Sequence, residues 1–194
     1  MKFRTAVMLI TALALSGCGA DGSGSEREGK AGMDMRQGAD RADRILDETL
    51  TAIDPSIKWT HGESTQGGCG GSTSGSVTRR RAVMTIISEE RRGSFLGVVE
   101  RHWRKSGYSI TGASAHKENP AIFASTPDDF RMSLEFGDKG QAFFDLVTPC
   151  LEKSDVSPPK TEPNGPNYAG SDIPYPDQRS DFWSAKAPVA PPAG

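Results

Sequence analysis

Histidine is scarce in this sequence, which has three histidines among 194 residues. His61, His102 and His116 are spread over different parts of the predicted fold, so they show neither metal-ligand spacing nor a His-Glu-x-x-His arrangement. His61 begins a His-x-Glu sequence that matches half of the zinc deaminase pattern, but the Pro-Cys-x-x-Cys half is missing. The sequence therefore predicts no metal site and no cofactor.

Other catalytic patterns are lacking as well. The glycine-rich residues 67–75 have neither the Gly-Lys-Ser/Thr ending nor the following helix of a phosphate-binding loop. Their Gly-Ser-Thr-Ser-Gly end has threonine where a nucleophile elbow needs serine, and it precedes a strand. Acidic pairs at 89–90 and 128–129 lie at the ends of elements, where solvated charge is the usual explanation. No catalytic residue is assigned, although a hydrolase site formed by distant carboxylates stays open.

Neither sign of charge dominates the chain. It has 23 lysines and arginines against 25 aspartates and glutamates, for a net charge of −2. General nucleic-acid binding needs a strongly basic surface. Nucleic acid is therefore not predicted as a partner.

The apolar run near the start is too short to cross a bilayer. It covers residues 6–15, whereas a transmembrane helix needs about twenty apolar residues. A basic start before it, with Lys2 and Arg4, and small residues after it are typical of a signal peptide. Cys18 follows those small residues directly. A plain secretory signal peptide that happens to contain a cysteine is the alternative.

Leu15-Ser16-Gly17-Cys18 resembles the lipobox of bacterial lipoproteins. The resemblance implies that residues 1–17 are removed as a signal peptide and that the Cys18 thiol carries a diacylglyceryl group. Two acyl chains hold a protein stably at a membrane. We therefore expect an extracytoplasmic protein that is anchored to the cell membrane by lipid on Cys18. Loss of Lys2 and Arg4 would leave a net charge of −4.

Cysteine is as rare as histidine, with three residues in the chain. If Cys18 carries lipid, Cys69 and Cys150 remain. Because the compartment outside the cytoplasm is oxidising, we expect these two cysteines to form one disulfide. Closing a loop of about eighty residues should stabilise the fold by roughly 4 to 5 kcal/mol. A reactive thiol or a metal pair is the alternative, and it would need more ligands close by.

Apolar periodicity is confined to residues 33–153, which predicts a single domain there. Residues 18–32 are glycine, serine and charge, typical of a flexible tether. Residues 154–194 contain nine of the 13 prolines, which predicts an extended tail. The aromatic residues of this tail either pin it to the domain surface or bind a partner.

The periodic segments predict an α+β fold. Apolar steps of three and four residues predict helices over 34–53 and from Ser94 to Gly107. Alternation predicts strands over 57–61, 77–88, 108–113, 121–125, 130–136 and 141–148, with 66–76 as a loop. The order α-β-β-α-β-β-β-β indicates an antiparallel sheet of five to six strands, mixed at one pairing at most, with both helices on one face.

Arg79-Arg80-Arg81 is the charge run of most interest. Strand alternation places Arg79 and Arg81 on one face of the sheet, and guanidinium groups bind phosphate and carboxylate well. They are therefore candidate anion-binding residues, with an anionic cell-wall polymer as the ligand. In the alternative interpretation, these arginines pair with acidic helix faces.

Several segments together resemble the small secreted lipoproteins of high-GC actinobacteria. They are the lipobox-like end at Cys18, Trp59-Thr60-His61-Gly62, residues 79–84, Pro149-Cys150 and Phe182-Trp183-Ser184. The resemblance brings no catalytic motif, so the expected function is non-enzymatic binding of an envelope protein or cell-wall polymer. An envelope carbohydrate- or lipid-directed hydrolase, or a chaperone-like or inhibitory lipoprotein, is the alternative.

Overall fold

The computed structural model describes residues 32–70, 72–168 and 171–187. The predicted signal peptide, Cys18 and nearly all of the predicted tether lie outside these residues. The described chain forms two α-helices and eight β-strands: α1 (Met35–Thr51), β1 (Trp59–His61), β2 (Thr65–Gly68), β3 (Ser74–Val83), α2 (Glu89–Lys105), β4 (Ser109–Ser114), β5 (Ala121–Ser125), β6 (Arg131–Phe136), β7 (Ala142–Val147) and β8 (Leu151–Glu152).

The eight strands form one open sheet in the order β1-β3-β7-β6-β5-β4. The long strand β3 pairs with both β1 and β2, one after the other, on one side. On its other side it pairs with β7 and β8 in the same way. Each strand pair that the structure describes is antiparallel. The predicted α+β class is therefore confirmed, and no described strand pair uses the parallel pairing that the prediction allowed.

Both helices pack on the same face of the sheet. Leu50 from α1 and Phe95 and Trp103 from α2 meet Leu134 and Phe144 from the sheet in one buried cluster. Burying such side chains is the main term that favours folding. The opposite face of the sheet carries no described helix. Neither described helix has the length and apolar character needed to cross a bilayer.

The two helices begin at identifiable caps. Asp34 accepts the backbone N–H of Gln37 and forms a capping box with it, so α1 begins close to the predicted position. α2 begins at Glu89 instead of at Ser94. Its first turn is acidic, which suits the helix dipole, but the apolar stripe that marked the helix starts only at Phe95. Gly107, at φ 80°, follows the end of α2 as predicted.

The predicted glycine and serine loop at 66–76 contains β2 and the first residues of β3 instead. Glycine and serine carry almost no strand propensity, so no pattern in this segment indicates the hairpin. A disulfide joins Cys69, next to the hairpin turn, to Cys150, with 5.8 Å between the Cα atoms. β8 pairs with β3 on its other side. Tertiary contacts thus impose the extended conformation here.

The proline-rich segment is part of the fold; we refer to its described residues, 154–168 and 171–187, as the strap. The predicted strand over 77–88 leaves the sheet after Val83, and its next residues bond to the strap. Met84 O accepts the N–H of Gln178 at 2.9 Å, and Ile86 N donates to Gln178 O at 2.8 Å. Trp183 is fully buried, with its ring 5.2 Å from that of Phe95. An aromatic residue of the strap therefore belongs to the core.

Candidate binding cleft beside the strap

The two candidate anion-binding arginines face α1 and are almost completely buried. Arg79 is 2% exposed and Arg81 is 0% exposed. Arg81 Nη2 lies 2.8 Å from Asp43 Oδ1, and Arg79 Nε lies 3.2 Å from Asp43 Oδ2. This is the geometry of the alternative interpretation, in which the arginines pair with an acidic helix face. An external anion would have to displace Asp43 to reach them.

Arg79 also connects the sheet to the strap. Its Nη1 donates to Ser64 Oγ at 3.1 Å, and its Nη2 donates to Ser157 O at 2.6 Å. Burial lowers the pKa of Arg79, while the negative charge of Asp43 acts in the opposite direction. The guanidinium group thus holds the strap beside the β1–β2 connection.

A cleft of about 970 Å³ lies between the strap and the connection from β1 to β2. Its sheet wall consists of residues 61–64, Gln66, Val77 and Arg79, and its strap wall consists of residues 156–159, 161–163, 167–168 and 171–173. Three of the twelve residues in the strap wall are prolines, and their fixed φ angles stiffen it. The volume falls within the range of small-ligand and cofactor sites.

His61 has one ring nitrogen bonded and one without a partner. Nε2 lies 2.7 Å from Thr161 O; since a carbonyl oxygen only accepts, Nε2 carries the hydrogen and Nδ1 is the acceptor. Nδ1 is buried, and no described group donates to it. Burial lowers the pKa of His61 and nearby Arg81 adds to this, although the Thr161 bond opposes it. The imidazole is therefore neutral at pH 7.

The lining of the cleft is negatively charged. Glu63, Glu162 and Asp172 line it, and no ion pair within the described residues involves them. The lining also includes the cation Arg79, but Arg79 and Arg81 together are paired with the carboxylates of Asp43 and Asp47. Electrostatics therefore favours a cationic ligand over an anionic one.

The strap occupies the outer edge of β1. Trp59 N donates to Asn164 Oδ1 at 2.9 Å, and Gly165 N donates to Trp59 O at 3.1 Å. A Cβ on Gly165 would lie 2.9 Å from Trp59 O, closer than side-chain carbons approach, so this position needs glycine. The strap thus satisfies one half of the sheet edge, and β2 forms the other half.

The helix-free face of the sheet has a shallower depression with a volume of about 630 Å³. Next to it, Arg80 donates to both carboxylate oxygens of Asp145, at 2.7 and 2.6 Å. The Arg80 guanidinium lies 5.0 Å from the centre of the Phe143 ring. Arg80 and Asp145 therefore neutralise each other on this face. Among the described residues, no three His, Cys, Asp or Glu side chains cluster as metal ligands would.

Most cleft residues lay outside the sequence prediction. His61 and Arg79 were singled out, but no pattern connected them to Glu162, Thr161 or Tyr168 about a hundred residues later. Proline-rich sequence predicts an extended backbone without indicating which strand it will lie against. Cys18 lies outside the described residues, so its lipidation stays a prediction.

No protein-family model matches the chain, and no curated protein matches it. Among solved structures, the crystal structure of a DUF4853 family protein from the actinobacterium Actinomyces odontolyticus is similar to it. The TM-score is 0.45 and the sequence identity is 11%, over 64% of this chain and 72% of that chain.

Proposed function

We propose that this protein is a lipoprotein of the cell envelope, anchored outside the cytoplasmic membrane by lipid on Cys18, and that it binds another envelope protein without transforming it. The lipobox-like sequence that ends at Cys18 supports the anchor. The bond between Cys69 and Cys150 supports an oxidising compartment, because disulfides persist outside the cytoplasm.

The cleft beside the strap is the observation that carries the binding function. It is large enough for a ligand, and Arg79 joins its two walls through hydrogen bonds to Ser64 and Ser157. Its negative lining disfavours an anionic cell-wall polymer and favours a protein partner with basic residues. A partly open cleft of this kind suits a segment of another protein.

Mass spectrometry of the protein purified from its native cells tests the anchor. We expect an N-terminal peptide that begins at Cys18 and carries a diacylglyceryl mass, and we expect the protein in the membrane fraction. The Cys18→Ala variant should not be acylated, whereas Ser16→Ala keeps a small residue before the cysteine and should behave like the wild type. An unmodified Cys18 in the wild-type protein would overturn this part of the proposal.

Site-specific photo-crosslinking in intact cells tests the binding function. Tyr168 lines the cleft, whereas Tyr175 is an exposed strap residue outside the cleft lining. A photoreactive phenylalanine analogue at position 168 should give a defined adduct with another protein, and the same analogue at position 175 should not. Adducts from both positions, or from neither, would contradict binding in the cleft.

A further inference from the structure

β2 is an edge strand whose outward backbone groups can be identified. It pairs with β3 on one side only, and all four of its residues are exposed. Val77, the partner of Gln66, directs its N–H and C=O to Thr148 on the opposite side of β3, at 3.0 and 2.9 Å. Because bonded and non-bonded pairs alternate in an antiparallel ladder, Gln66 and Gly68 direct their N–H and C=O groups outward. No described residue bonds to those groups.

The outer edge of β2 runs between two recesses. Gln66 lines the 970 Å³ cleft, and it also lines a groove of about 460 Å³ formed by β2, Met35 and residues 153–155. A chain added along β2 would therefore have room for its side chains at both ends. Gly68 adds to this access, since a Cβ built there meets no atom within 4 Å.

The strap shows that this edge accepts an added segment. Along β1, the outward N–H and C=O of Trp59 are taken by Asn164 and Gly165. β1 and β2 lie on the same side of β3, so an occupant of β2 would extend the same edge. Addition of an extended peptide to an exposed strand is a common mode of protein recognition.

We propose that β2 binds an extended, basic segment of another envelope protein as an added strand, with its lysines or arginines at the acidic end of the cleft. This inference rests on the proposed binding function and names the chemistry of the partner. Glu63, Glu162 and Asp172 select positive charge there, whereas Lys153 and Asp155 balance each other in the smaller groove.

The sequence argues against the remaining parts of this chain as the occupant. Residues 188–194 contain no lysine or arginine, and their three prolines have no N–H to donate. Residues 18–31 carry three acidic residues against two basic ones. A segment of a different protein therefore fits the edge better.

Peptide binding to the purified full-length protein in neutral detergent tests the proposal. The probe is a fluorescein-labelled peptide of four Lys-Thr repeats, and the readout is fluorescence anisotropy at near-physiological salt. A first control peptide has the same sequence with alternate backbone nitrogens methylated, so it keeps the charge but cannot donate the hydrogen bonds of an added strand along its methylated edge. A second control peptide of four Glu-Thr repeats reverses the charge. We expect the Lys-Thr peptide to bind and both control peptides to fail.

Two matched variants locate the site. Gly68→Pro removes an outward N–H without breaking the β2–β3 ladder, and it should weaken binding by up to about tenfold. Gly68→Ala keeps the N–H and should bind like the wild type. The triple variant Glu63→Gln, Glu162→Gln, Asp172→Asn should weaken binding by about tenfold, and each variant should keep the wild-type melting temperature.

Equal binding of the methylated control peptide, or no loss in Gly68→Pro, would overturn strand addition. No binding of any peptide would also overturn it. In that case, acylated Cys18 and an adduct at position 168 would show that the proposed function stands without this inference. An unmodified Cys18 would remove the anchor whatever the peptides do.

Discussion

Asp43 holds two buried guanidinium groups at once. Its carboxylate contacts Arg79 and Arg81, and Arg81 also lies 3.4 Å from Asp47 and 5.3 Å from the centre of the Trp59 ring. Two buried positive charges therefore meet two carboxylates. Buried charges are tolerated only when they are paired in this way.

Replacing Asp43 with alanine should destabilise the protein severely. The change leaves both buried arginines without their shared carboxylate, and breaking a buried pair typically costs about 3 to 5 kcal/mol. Denaturant unfolding measures the free energy. Asp40→Asn is the matched control on α1, because Asp40 forms an exposed 3.4 Å pair with Lys160 that should contribute at most about 1 kcal/mol. Similar losses in the two variants would contradict the role of Asp43.

His61 should make stability depend on pH. Burial lowers its pKa in the folded protein below the ordinary value of 6.5, so between these two pKa values the unfolded chain binds more protons. Stability is then fully present above the unfolded-state pKa and falls as the pH drops toward the folded-state pKa. The free energy of unfolding of His61→Gln, measured from about pH 7.5 to about pH 5, should fall less steeply than that of the wild type.

Burial also lowers the pKa of His102, so some slope of the same sign should persist in His61→Gln. A slope unchanged by His61→Gln would show that His61 is not buried in solution as it is here.

At the scale of elements, the strap is what makes the cleft. It bonds to β1 through Asn164 and Gly165, and it places Trp183 in the core, where Nε1 donates to Pro55 O at 2.5 Å. Side-chain and backbone contacts with the domain therefore hold the strap on both sides of residues 166–182, which include part of the cleft wall. Its cleft wall depends on those contacts.

Trp183→Ala should loosen the strap and destabilise the fold. Truncating a fully buried tryptophan typically costs about 3 to 5 kcal/mol, and thermal unfolding would detect that loss. Tyr175→Ala is the matched control, because Tyr175 is 48% exposed and its hydrogen bond to Asp138 is worth about 1 kcal/mol or less. Wild-type stability in Trp183→Ala would show that the strap does not contribute to the core.

The elements that could be predicted from the sequence are those whose own residues show a hydrophobic period. The hairpins over 121–147 alternate along each strand and turn at short polar segments, so β5, β6 and β7 lie within a residue of the prediction. The start of α2 was missed because its first turn is polar and exposed. β2 was missed because glycine and serine carry no hydrophobic period. Contact of the proline-rich segment with the domain was one of two alternatives, but proline carries no period that indicates which strand it lies against.

The same limit applies to the candidate site. Strand alternation correctly placed Arg79 and Arg81 on one face, but it could not say that Asp43 of α1 faces them. Tertiary packing decides which distant segments pair. In this sequence, the two cysteines are the feature that indicates such a pairing. For that reason Cys69 and Cys150 are the one distant pair of which both residues were predicted, whereas the alternative interpretation of the arginines named no acidic partner.

At the scale of the whole molecule, the disulfide joins the two regions that create the proposed binding edge. Cys69 directly follows β2, and Cys150 lies between β7 and β8, 81 residues later. β2 has four exposed residues with two glycines, so little side-chain packing holds it to β3. The bond therefore keeps the edge strand extended as well as restricting the unfolded chain.

The double variant Cys69→Ser, Cys150→Ser should lose stability and peptide binding together. Opening a loop of this length should cost roughly 4 to 5 kcal/mol of unfolding free energy, which denaturant unfolding measures. Reductant should lower the stability of the wild type toward that of the double variant and leave the double variant unchanged. Under conditions where the double variant is still folded, we expect amide hydrogen exchange to become faster first in β2. That strand loses the disulfide that follows it, whereas β5, β6 and β7 keep their buried faces. Uniform exchange across the sheet would mean that the bond stabilises the chain only through its unfolded state.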